Sequence, residues 1–186
     1  MDTGKLSCFT HKIPAAMPVL WKPGKDRVQA TSMYRFMQVT GHDDYESLYD
    51  WSISDSPAFW EALCEFCDIR FDKVAEKTLA RPGNIMDAGW FTGSQLNYAA
   101  HLLRHEGDEP ALVFSGENGA RRELSRDQLR EEVAAIAAGL REAGVGAGDR
   151  VGGYLPNCPE AIIAMLATTS IGALWSSCSP DCGING

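Results

Sequence analysis

Three pairs of side chains in this sequence have types and spacings that occur in metal sites. The pairs are Cys64 with Cys67, Cys178 with Cys182, and His101 with His105. However, "CEFC" lies in a helical pattern rather than at a turn, and "HLLRH" lacks the glutamate of an H-E-x-x-H motif. We therefore predict no metal site, and we interpret the six cysteines as reduced, mostly buried thiols of a cytoplasmic protein.

A cluster of polar side chains follows a short apolar segment near the end of the sequence. Its members, all within "WSSCSPD", are Ser176, Ser177, Ser179 and Asp181. Ligands of open α/β sheets bind beyond the carboxyl ends of the strands, so hydroxyls and a carboxylate at this place could contact a ligand. The alternative is a polar turn that ends a strand. Both interpretations need a strand that stops at this cluster.

The elements around the cluster have the order strand, helix, strand. "RVGGYL" is a short apolar strand, "NCPE" supplies Asn157 as N-cap with Glu160 at N3, and a helix that is apolar nearly all round covers residues 158–171. "ALWSS" is the second strand. This order nearly always gives parallel strands with a right-handed crossover. The predicted fold class is α/β, with a parallel βαβ unit whose helix packs across both strands.

Upstream, the pattern predicts a β-hairpin that leads into another helix. "ALVF" (111–114) and "RREL" (121–124) flank a link rich in glycine and asparagine. Ser125 and Gln128 have the spacing of a capping box, and Leu124 and Leu129 fit a hydrophobic staple. The predicted buried face of this helix consists of Leu129, Val133, Ile136 and Leu140, and "AGVGAGD" ends it.

The first part of the chain contains fewer signals. Residues 1–30 are rich in proline, lysine and turn formers, and they predict an irregular arm. The first strong helix is predicted in "SPAFWEALCEFCDI", with Ser56 as N-cap and Pro57 at N1. Its apolar stripe, which predicts a docking helix, contains Phe59, Trp60, Leu63, Phe66 and Cys67.

Composition and motif searches exclude several functions. The net charge of −8 and the isoelectric point near 5.0 argue against a nucleic-acid-binding surface. The longest apolar stretch, residues 161–175, is shorter than the roughly 20 residues of a membrane span. "GVGAGD" follows a helix and precedes a strand, the reverse of a dinucleotide fingerprint, and the sequence contains no P-loop and no G-x-S-x-G motif. Motif chemistry alone therefore identifies no active site.

Four stretches together resemble the amino-terminal part of the adenylate-forming acyl-CoA synthetases. They are "GWFTGSQLNYAAHLL", "YDWSISDSPAFW", "GVGAGDRV" and "LPNCPEAIIAMLATTSIGALWSSCSPDCG". The "WSSCSPD" ending resembles the branch that activates acetoacetate, although "DCG" departs at Cys182 from the usual Asp-Phe-Gly. The resemblance runs from about Pro18 to Gly183. It implies an amino-terminal arm with docking helices over residues 1–104 and the start of the AMP-binding domain over residues 105–186.

The resemblance also implies an activity and its cofactors. Members of this family join an acid to CoA, with ATP and Mg²⁺, and release AMP and pyrophosphate; here the acid would be acetoacetate, a short keto acid. The phosphate loop, adenine-binding segment, ribose-binding aspartate and carboxy-terminal lysine are expected beyond residue 186, so no catalytic residue is assigned in this chain. The alternative is a non-catalytic module that binds, regulates or pairs with the remainder of the fold.

Two sets of residues receive roles by resemblance alone. Ser176, Ser177, Ser179 and Asp181 would border the channel for CoA. Trp90, Phe91, Leu96 and Tyr98 would anchor the junction between the arm and the main domain.

Overall fold

The computed structural model describes residues 19–81, 83 and 85–185, which form two compact units, one up to Phe59 and one from Trp60 onward. The first unit contains helices α1 (Lys25–Gln29), α2 (Ser32–Thr40) and α3 (Tyr45–Ser54), and α4 (Ser56–Phe66) begins in it. Helix α1 lies inside the predicted irregular arm, so that prediction is wrong for Lys25–Gln29, and residues 1–18 lie outside the described part.

The first unit is held together by aromatic packing and helix caps. Phe36 is buried, and its ring lies 5.8 Å from the ring of Phe59 in an edge-on arrangement. The Trp51 ring packs edge-on against the same Phe59 ring at 5.5 Å. Asp44 caps α3 by accepting a hydrogen bond from the Ser47 N–H at 2.8 Å, which satisfies an otherwise unpaired donor.

The start of α4 differs from its prediction. Ser56 lies inside the helix and its hydroxyl donates to the Ser52 carbonyl at 2.8 Å, so it is not the N-cap. The Asp55 carboxylate instead accepts from the Ala58 N–H at 3.3 Å. Asp55, one position before Ser56, bonds to this free N–H because it is the single residue between α3 and α4. No residue of α4 is fully buried. Of the predicted stripe, Phe59, Leu63 and Phe66 are half-buried, whereas Trp60 and Cys67 are exposed.

In its described residues, the second unit contains three two-stranded sheets and three further α-helices. Its elements are β1 (Lys77–Ala80), β2 (Gly89–Thr92), α5 (Tyr98–Leu102), β3 (Pro110–Ser115), β4 (Arg121–Ser125), α6 (Arg126–Glu142), β5 (Arg150–Tyr154), α7 (Pro159–Ser170) and β6 (Leu174–Cys178). A 3₁₀ turn, Pro180–Asn185, follows β6 and is interrupted at Gly183. Strands β1 and β2 are antiparallel, as are β3 and β4.

The predicted hairpin and capping box are confirmed. Strands β3 and β4 pair antiparallel, with Phe114 opposite Arg122. The Ser125 hydroxyl accepts from the Gln128 N–H at 3.2 Å, and the Gln128 side chain accepts from the Ser125 N–H at 2.9 Å. Helix α6 therefore begins where the local signals place it.

The predicted βαβ unit is also confirmed. Strands β5 and β6 are adjacent and parallel, with Val151 opposite Trp175. Helix α7 connects them in the sequence. The N-cap of α7, however, is Cys158 and not Asn157, so Glu160 lies at N2. The residue before a proline is forced into extended backbone, and Cys158 has φ −134° and ψ 165°, so the helix starts at Pro159.

The core of the second unit lies where α5, α6 and α7 meet the hairpin. Its buried members are Ala99, Leu124, Leu129, Val133, Ala137, Ile163, Leu166 and Ala167. Ile136 is 46% exposed, which corrects the predicted face of α6, while Ala137 is buried in its place. Ala137 of α6 and Ala167 of α7 belong to the same buried cluster, and the buried residues of α6 lie four apart, at Leu129, Val133 and Ala137. No described helix is long and apolar enough to cross a membrane.

Asn97 joins two of these helices. Its side-chain oxygen caps α5 by accepting from the Ala100 N–H at 2.9 Å. Its amide nitrogen donates to the carbonyls of Thr169 at 3.4 Å and Ser170 at 3.0 Å. One side chain thus satisfies a free N–H at the start of α5 and free carbonyls at the end of α7.

Candidate functional site

The candidate site lies at the carboxyl end of β6. Ser176 and Ser177 pair with Gly152 and Gly153 of β5, and both serines are exposed. Because side chains alternate along a strand, these two hydroxyls are presented on opposite faces of the strand pair. Neither hydroxyl has a hydrogen-bond partner among the described residues, so both are available to a ligand.

Ser179 and Asp181 form a separate local arrangement just beyond the strand. The Ser179 hydroxyl donates to the Asp181 carboxylate at 3.0 Å, and the Asp181 N–H donates to the Ser179 hydroxyl at 3.4 Å. These bonds match the polar-turn alternative, in which a serine next to a strand end satisfies nearby polar groups. The structure therefore brings Ser179 and Asp181 together and leaves Ser176 and Ser177 apart on the strand.

Tyr154 positions this turn and was not recognised from the sequence. Its hydroxyl donates to the Pro180 carbonyl at 3.2 Å, and the following Leu155 N–H donates to the Cys178 carbonyl at 3.2 Å. Both bonds connect the end of β5 to the segment that leaves β6. The weak sequence signal is an aromatic residue at the end of the first strand of a βαβ unit.

The start of α7, on the same side of the unit, carries a cluster of charges. Arg122 donates to the Glu132 carboxylate at 2.6 Å and to the Glu160 carboxylate at 2.5 Å, which joins β4, α6 and α7. A hydrogen bond from the Glu160 backbone N–H, followed by one from the Cys158 thiol, lowers the pKa of Glu160. The bond to Glu132 raises the pKa of Arg122. All charges of this cluster are paired with each other, so its evident role is to fix the helix start.

The cysteine and histidine pairs do not form a metal site in the described part of the chain, where no three His, Cys, Asp or Glu side chains are grouped as ligands. Nε2 of His101 lies 2.7 Å from the Arg104 guanidinium, a contact that competes with a metal ion for this nitrogen. Burial, followed by the charge of Arg104, lowers the pKa of His101. The predicted burial of the cysteines is wrong. The described cysteines are free, with Cys67, Cys178 and Cys182 exposed and Cys64 and Cys158 half-buried.

The aromatic stretch around residue 90 is only partly packed. The Trp90 ring packs edge-on against Trp60 at 6.1 Å, and Phe91 stacks on Phe71 at 5.6 Å. Leu96 is 45% exposed and Tyr98 is 54% exposed, so these two do not act as buried anchors. Phe91 has φ +46°, a left-handed conformation that is rare for a bulky residue. The Ser94 N–H and hydroxyl both donate to its carbonyl, at 3.0 and 2.6 Å, and hold that turn.

Family models match most of the chain in two adjoining pieces. The model of the AMP-binding enzymes matches residues 99–184, and the model of the acetyl-coenzyme A synthetase N-terminus matches residues 45–102. The sequence-based division at residue 104 stays a prediction.

Individual relatives agree with these models. Acetoacetyl-coenzyme A synthetase of Rhizobium meliloti is 42% identical over 173 residues, covering 90% of this chain and 26% of that protein. Malonamoyl-CoA synthetase of Penicillium aethiopicum is 33% identical over 192 residues, covering 93% of this chain and 25% of that protein. The solved acetoacetyl-CoA synthetase of Streptomyces lividans superposes with a TM-score of 0.77 at 40% identity, over 87% of this chain and 26% of that one.

The fold and these matches define the class: the chain corresponds to the amino-terminal part of an AMP-binding acyl-CoA synthetase. The particular proteins that it resembles at about 40% identity are acetoacetyl-CoA synthetases, which confirms the resemblance stated from the sequence. The chain spans about a quarter of the length of these relatives.

Proposed function

We propose that this chain forms the amino-terminal part of a cytoplasmic AMP-forming ligase that converts acetoacetate, ATP and CoA into acetoacetyl-CoA, AMP and pyrophosphate. The observation that carries the proposal is the TM-score of 0.77 with an acetoacetyl-CoA synthetase over 87% of this chain. The identity of about 40% with further proteins of that name supports the choice of acid. Acetoacetate is preferred to malonamate because the malonamoyl-CoA synthetase is less similar, at 33% identity.

Within that ligase we propose that the carboxyl end of β6 borders the path of CoA. Ser177, one residue before the carboxyl end of β6, has an exposed hydroxyl where ligands of parallel sheets bind, and Ser176, in the middle of the strand, presents an exposed hydroxyl on the opposite face. Hydroxyls both donate and accept hydrogen bonds, which suits the amide groups along the CoA arm. Ser179 and Asp181 already bond to each other, so their part in the proposal is to shape the turn beside the path.

The described residues are less suited to binding ATP and Mg²⁺ than to contacting CoA. Bound Mg²⁺ takes oxygen ligands from carboxylates and phosphates, and no group of three possible ligands occurs in the described part of the chain. The sequence contains no P-loop for a triphosphate. We therefore assign the binding of ATP and Mg²⁺ to parts of the ligase outside these residues. The contribution of this chain is scaffold and CoA contact.

The test compares two proteins, this chain and the same chain extended through the sequence that follows it in its natural reading frame. The measurement is the acetoacetate-dependent exchange of labelled pyrophosphate into ATP, which reports formation of the acyl-adenylate without CoA. We expect exchange by the extended protein and none by the short chain, because positioning and charge stabilisation of the triphosphate provide nearly all of the catalysis. Exchange by the short chain would contradict the assigned division of labour.

Two further outcomes separate the parts of the proposal. A folded extended protein that exchanges with acetate or malonamate but not with acetoacetate would keep the ligase class and reject the acid. A reading frame that stops at Gly186 would support the alternative, a module without catalysis that binds or regulates another protein.

A further inference from the structure

Arg104, which follows α5, connects that helix to the turn after α4. Its Nη1 atom donates to the His101 carbonyl at 2.8 Å and lies 2.7 Å from Nε2 of the His101 ring. Its Nη2 atom donates to the Cys67 carbonyl at 3.4 Å, and its Nε atom lies 3.9 Å from the Asp68 carboxylate. One guanidinium therefore contacts an imidazole on α5 and the turn that ends α4.

The short contact between Arg104 and His101 determines where the imidazole carries its proton. Guanidinium nitrogens only donate hydrogen bonds and are not deprotonated in proteins, so Nε2 of His101 must be the acceptor. The neutral ring then carries its single proton on Nδ1, which is buried and has no acceptor among the described residues. The contact with Arg104 therefore requires a neutral His101.

A second proton on His101 is opposed by its surroundings. The charged groups that act on the ring are Arg104 and His105 beside it, and Asp68 and Arg70 on the turn after α4. Helix α7 also packs against α5, but its one charged residue, Glu160, lies in its first turn. Burial, followed by the charge of Arg104, lowers the pKa of His101, and Asp68 acts in the opposite direction. The Asp68 carboxylate is already paired with Arg70 at 2.9 Å.

We propose that His101 and Arg104 form a pH-sensitive latch, which is closed at neutral pH and open in mildly acidic solution. In the closed state, neutral His101 accepts from Arg104, and Arg104 binds the Cys67 carbonyl. A proton on Nε2 removes the acceptor and repels the guanidinium, so the turn after α4 is released from α5. The inference does not depend on the proposed ligase activity, and its test needs no substrate.

The direction of the shift sets the pH range in which the latch works. A histidine whose pKa is lower in the folded than in the unfolded protein stabilises the closed form above its unfolded-state pKa of about 6.5. This contribution is lost as the pH falls through its folded-state pKa. We therefore expect the latch to open below pH 6.5.

The first measurement determines the protonation of His101 in the whole chain. The hydrogen on C2 of each imidazole exchanges with deuterium at a rate that depends on ring protonation, and mass spectrometry follows this exchange from about pH 4 to pH 8. Chymotryptic cleavage after Leu103 places His101 and His105 in different peptides. We expect His101 to titrate at a lower pH in the folded chain than in urea.

The second measurement follows the turn itself through exchange of its backbone amides. The Ile69 N–H donates to the Cys64 carbonyl at 2.9 Å and belongs to the turn that Arg104 contacts. After correction for the intrinsic effect of pH, this amide should exchange roughly 2–10-fold faster at pH 5.5 than at pH 7.5, which corresponds to the loss of one hydrogen bond. The Gly116 N–H, bonded to the Ala120 carbonyl at 2.8 Å in the hairpin, is the control and should show no such change.

Variants identify the two members of the latch. In Arg104→Met the pKa of His101 should rise, and the turn should already exchange faster at pH 7.5, because the guanidinium is gone. His101→Gln keeps an acceptor that cannot be protonated, so the turn should stay protected at both pH values. His105→Gln removes the neighbouring exposed histidine and should leave the pH dependence of the turn unchanged.

Two results would overturn the inference. One is a His101 that titrates at the same pH in the folded chain and in urea, because the contact with Arg104 would then not favour the neutral ring. The other is a turn that stays protected at pH 5.5 after His101 has become charged, as would happen if the Asp68 carboxylate moved to bind the imidazolium.

Discussion

The indole ring of Trp175 occupies the space that a side chain at Gly153 would need. A Cβ atom added at Gly153 would lie 2.5 Å from Cη2 and 2.8 Å from Cζ2 of that ring, far inside normal contact. Gly153 belongs to β5 and Trp175 to the neighbouring β6. The glycine therefore allows the large aromatic residue to lie across the strand pair that ends at the candidate site.

The first prediction follows from this contact. Gly153→Ala should lower the free energy of unfolding by about 1–3 kcal/mol, because a rigid ring must move to make room. Gly152→Ala is the matched control, since a Cβ there would meet nothing within 4 Å. Urea unfolding should show the control within about 0.5 kcal/mol of the unchanged chain. Equal losses for both variants would show that strand glycines matter here for another reason.

The second prediction concerns Asn97 and its bonds to two helices. Asn97→Ala removes the α5 cap and the donors to the carbonyls at the end of α7, so we expect a loss of about 1–3 kcal/mol in urea unfolding. Asn97→Ser keeps a side-chain oxygen that can accept from the Ala100 N–H but removes the amide group that donates to Thr169 and Ser170. Its free energy of unfolding should therefore fall less than that of the alanine variant. If the serine variant matched the original chain, the bonds to Thr169 and Ser170 would contribute nothing.

Some of these features could be predicted from the sequence because their causes are local. The capping box of Ser125 and Gln128 is decided within one turn, and the βαβ unit follows from the order of capped and apolar segments. The start of α7 was missed by one residue because Asn157 and Pro159 both signal a helix start, and the proline determines the backbone of Cys158.

Other features depend on partners that are distant in sequence. The side chain of Asn97 donates to the carbonyls of Thr169 and Ser170, which lie 72 and 73 positions later in the sequence, and no local pattern encodes such a contact. The exposure of Ile136 depends on which side of α6 faces the core that it shares with α7. At the candidate site, the turn of Ser179 and Asp181 was foreseen as an alternative, whereas the support from Tyr154 needed the parallel register of β5 and β6.

The third prediction concerns acid sensitivity at the start of α7. Folding lowers the pKa of Glu160 below about 4.5, mainly through a backbone N–H and the Cys158 thiol. A carboxyl whose pKa is lower in the folded than in the unfolded protein stabilises the fold at any pH above its unfolded-state pKa. This contribution is lost as the pH falls through its folded-state pKa. We therefore expect the urea midpoint of Glu160→Gln to be lower than that of the original chain at pH 7. The difference between the two midpoints should shrink as the pH falls below about 4.5 toward pH 3.

The control for that prediction is Glu131→Gln, which changes an exposed carboxylate on α6. Its urea midpoint should follow that of the original chain across the same range. A constant difference between Glu160→Gln and the original chain from pH 7 to pH 3 would mean that the charge of Glu160 does not stabilise α7.

The fourth prediction concerns the exposed apolar surface of the β5 and β6 pair. Leu174 is 54% exposed and Tyr154 is 63% exposed on a sheet of two strands, where unpaired edges favour association. We expect this chain to bind a hydrophobic dye, and Leu174→Thr to reduce both dye fluorescence and aggregation measured by light scattering. Val39→Thr, at a 74% exposed helical residue, should change neither. A monodisperse chain that binds no dye would contradict the expectation.

The fifth prediction tests the proposed contact between CoA and the end of β6, in the chain extended through its natural downstream sequence. Replacing Ser176 and Ser177 together by alanine removes two exposed hydroxyls without adding bulk, so the KM for CoA should rise by roughly 2–10-fold per lost hydrogen bond. Pyrophosphate exchange, which needs no CoA, should be unchanged. Ser115→Ala, at an exposed serine that ends β3, is the control and should alter neither measurement. An unchanged KM for CoA in the double variant would remove these serines from the CoA path, whereas a loss of pyrophosphate exchange would indicate a general defect in the fold.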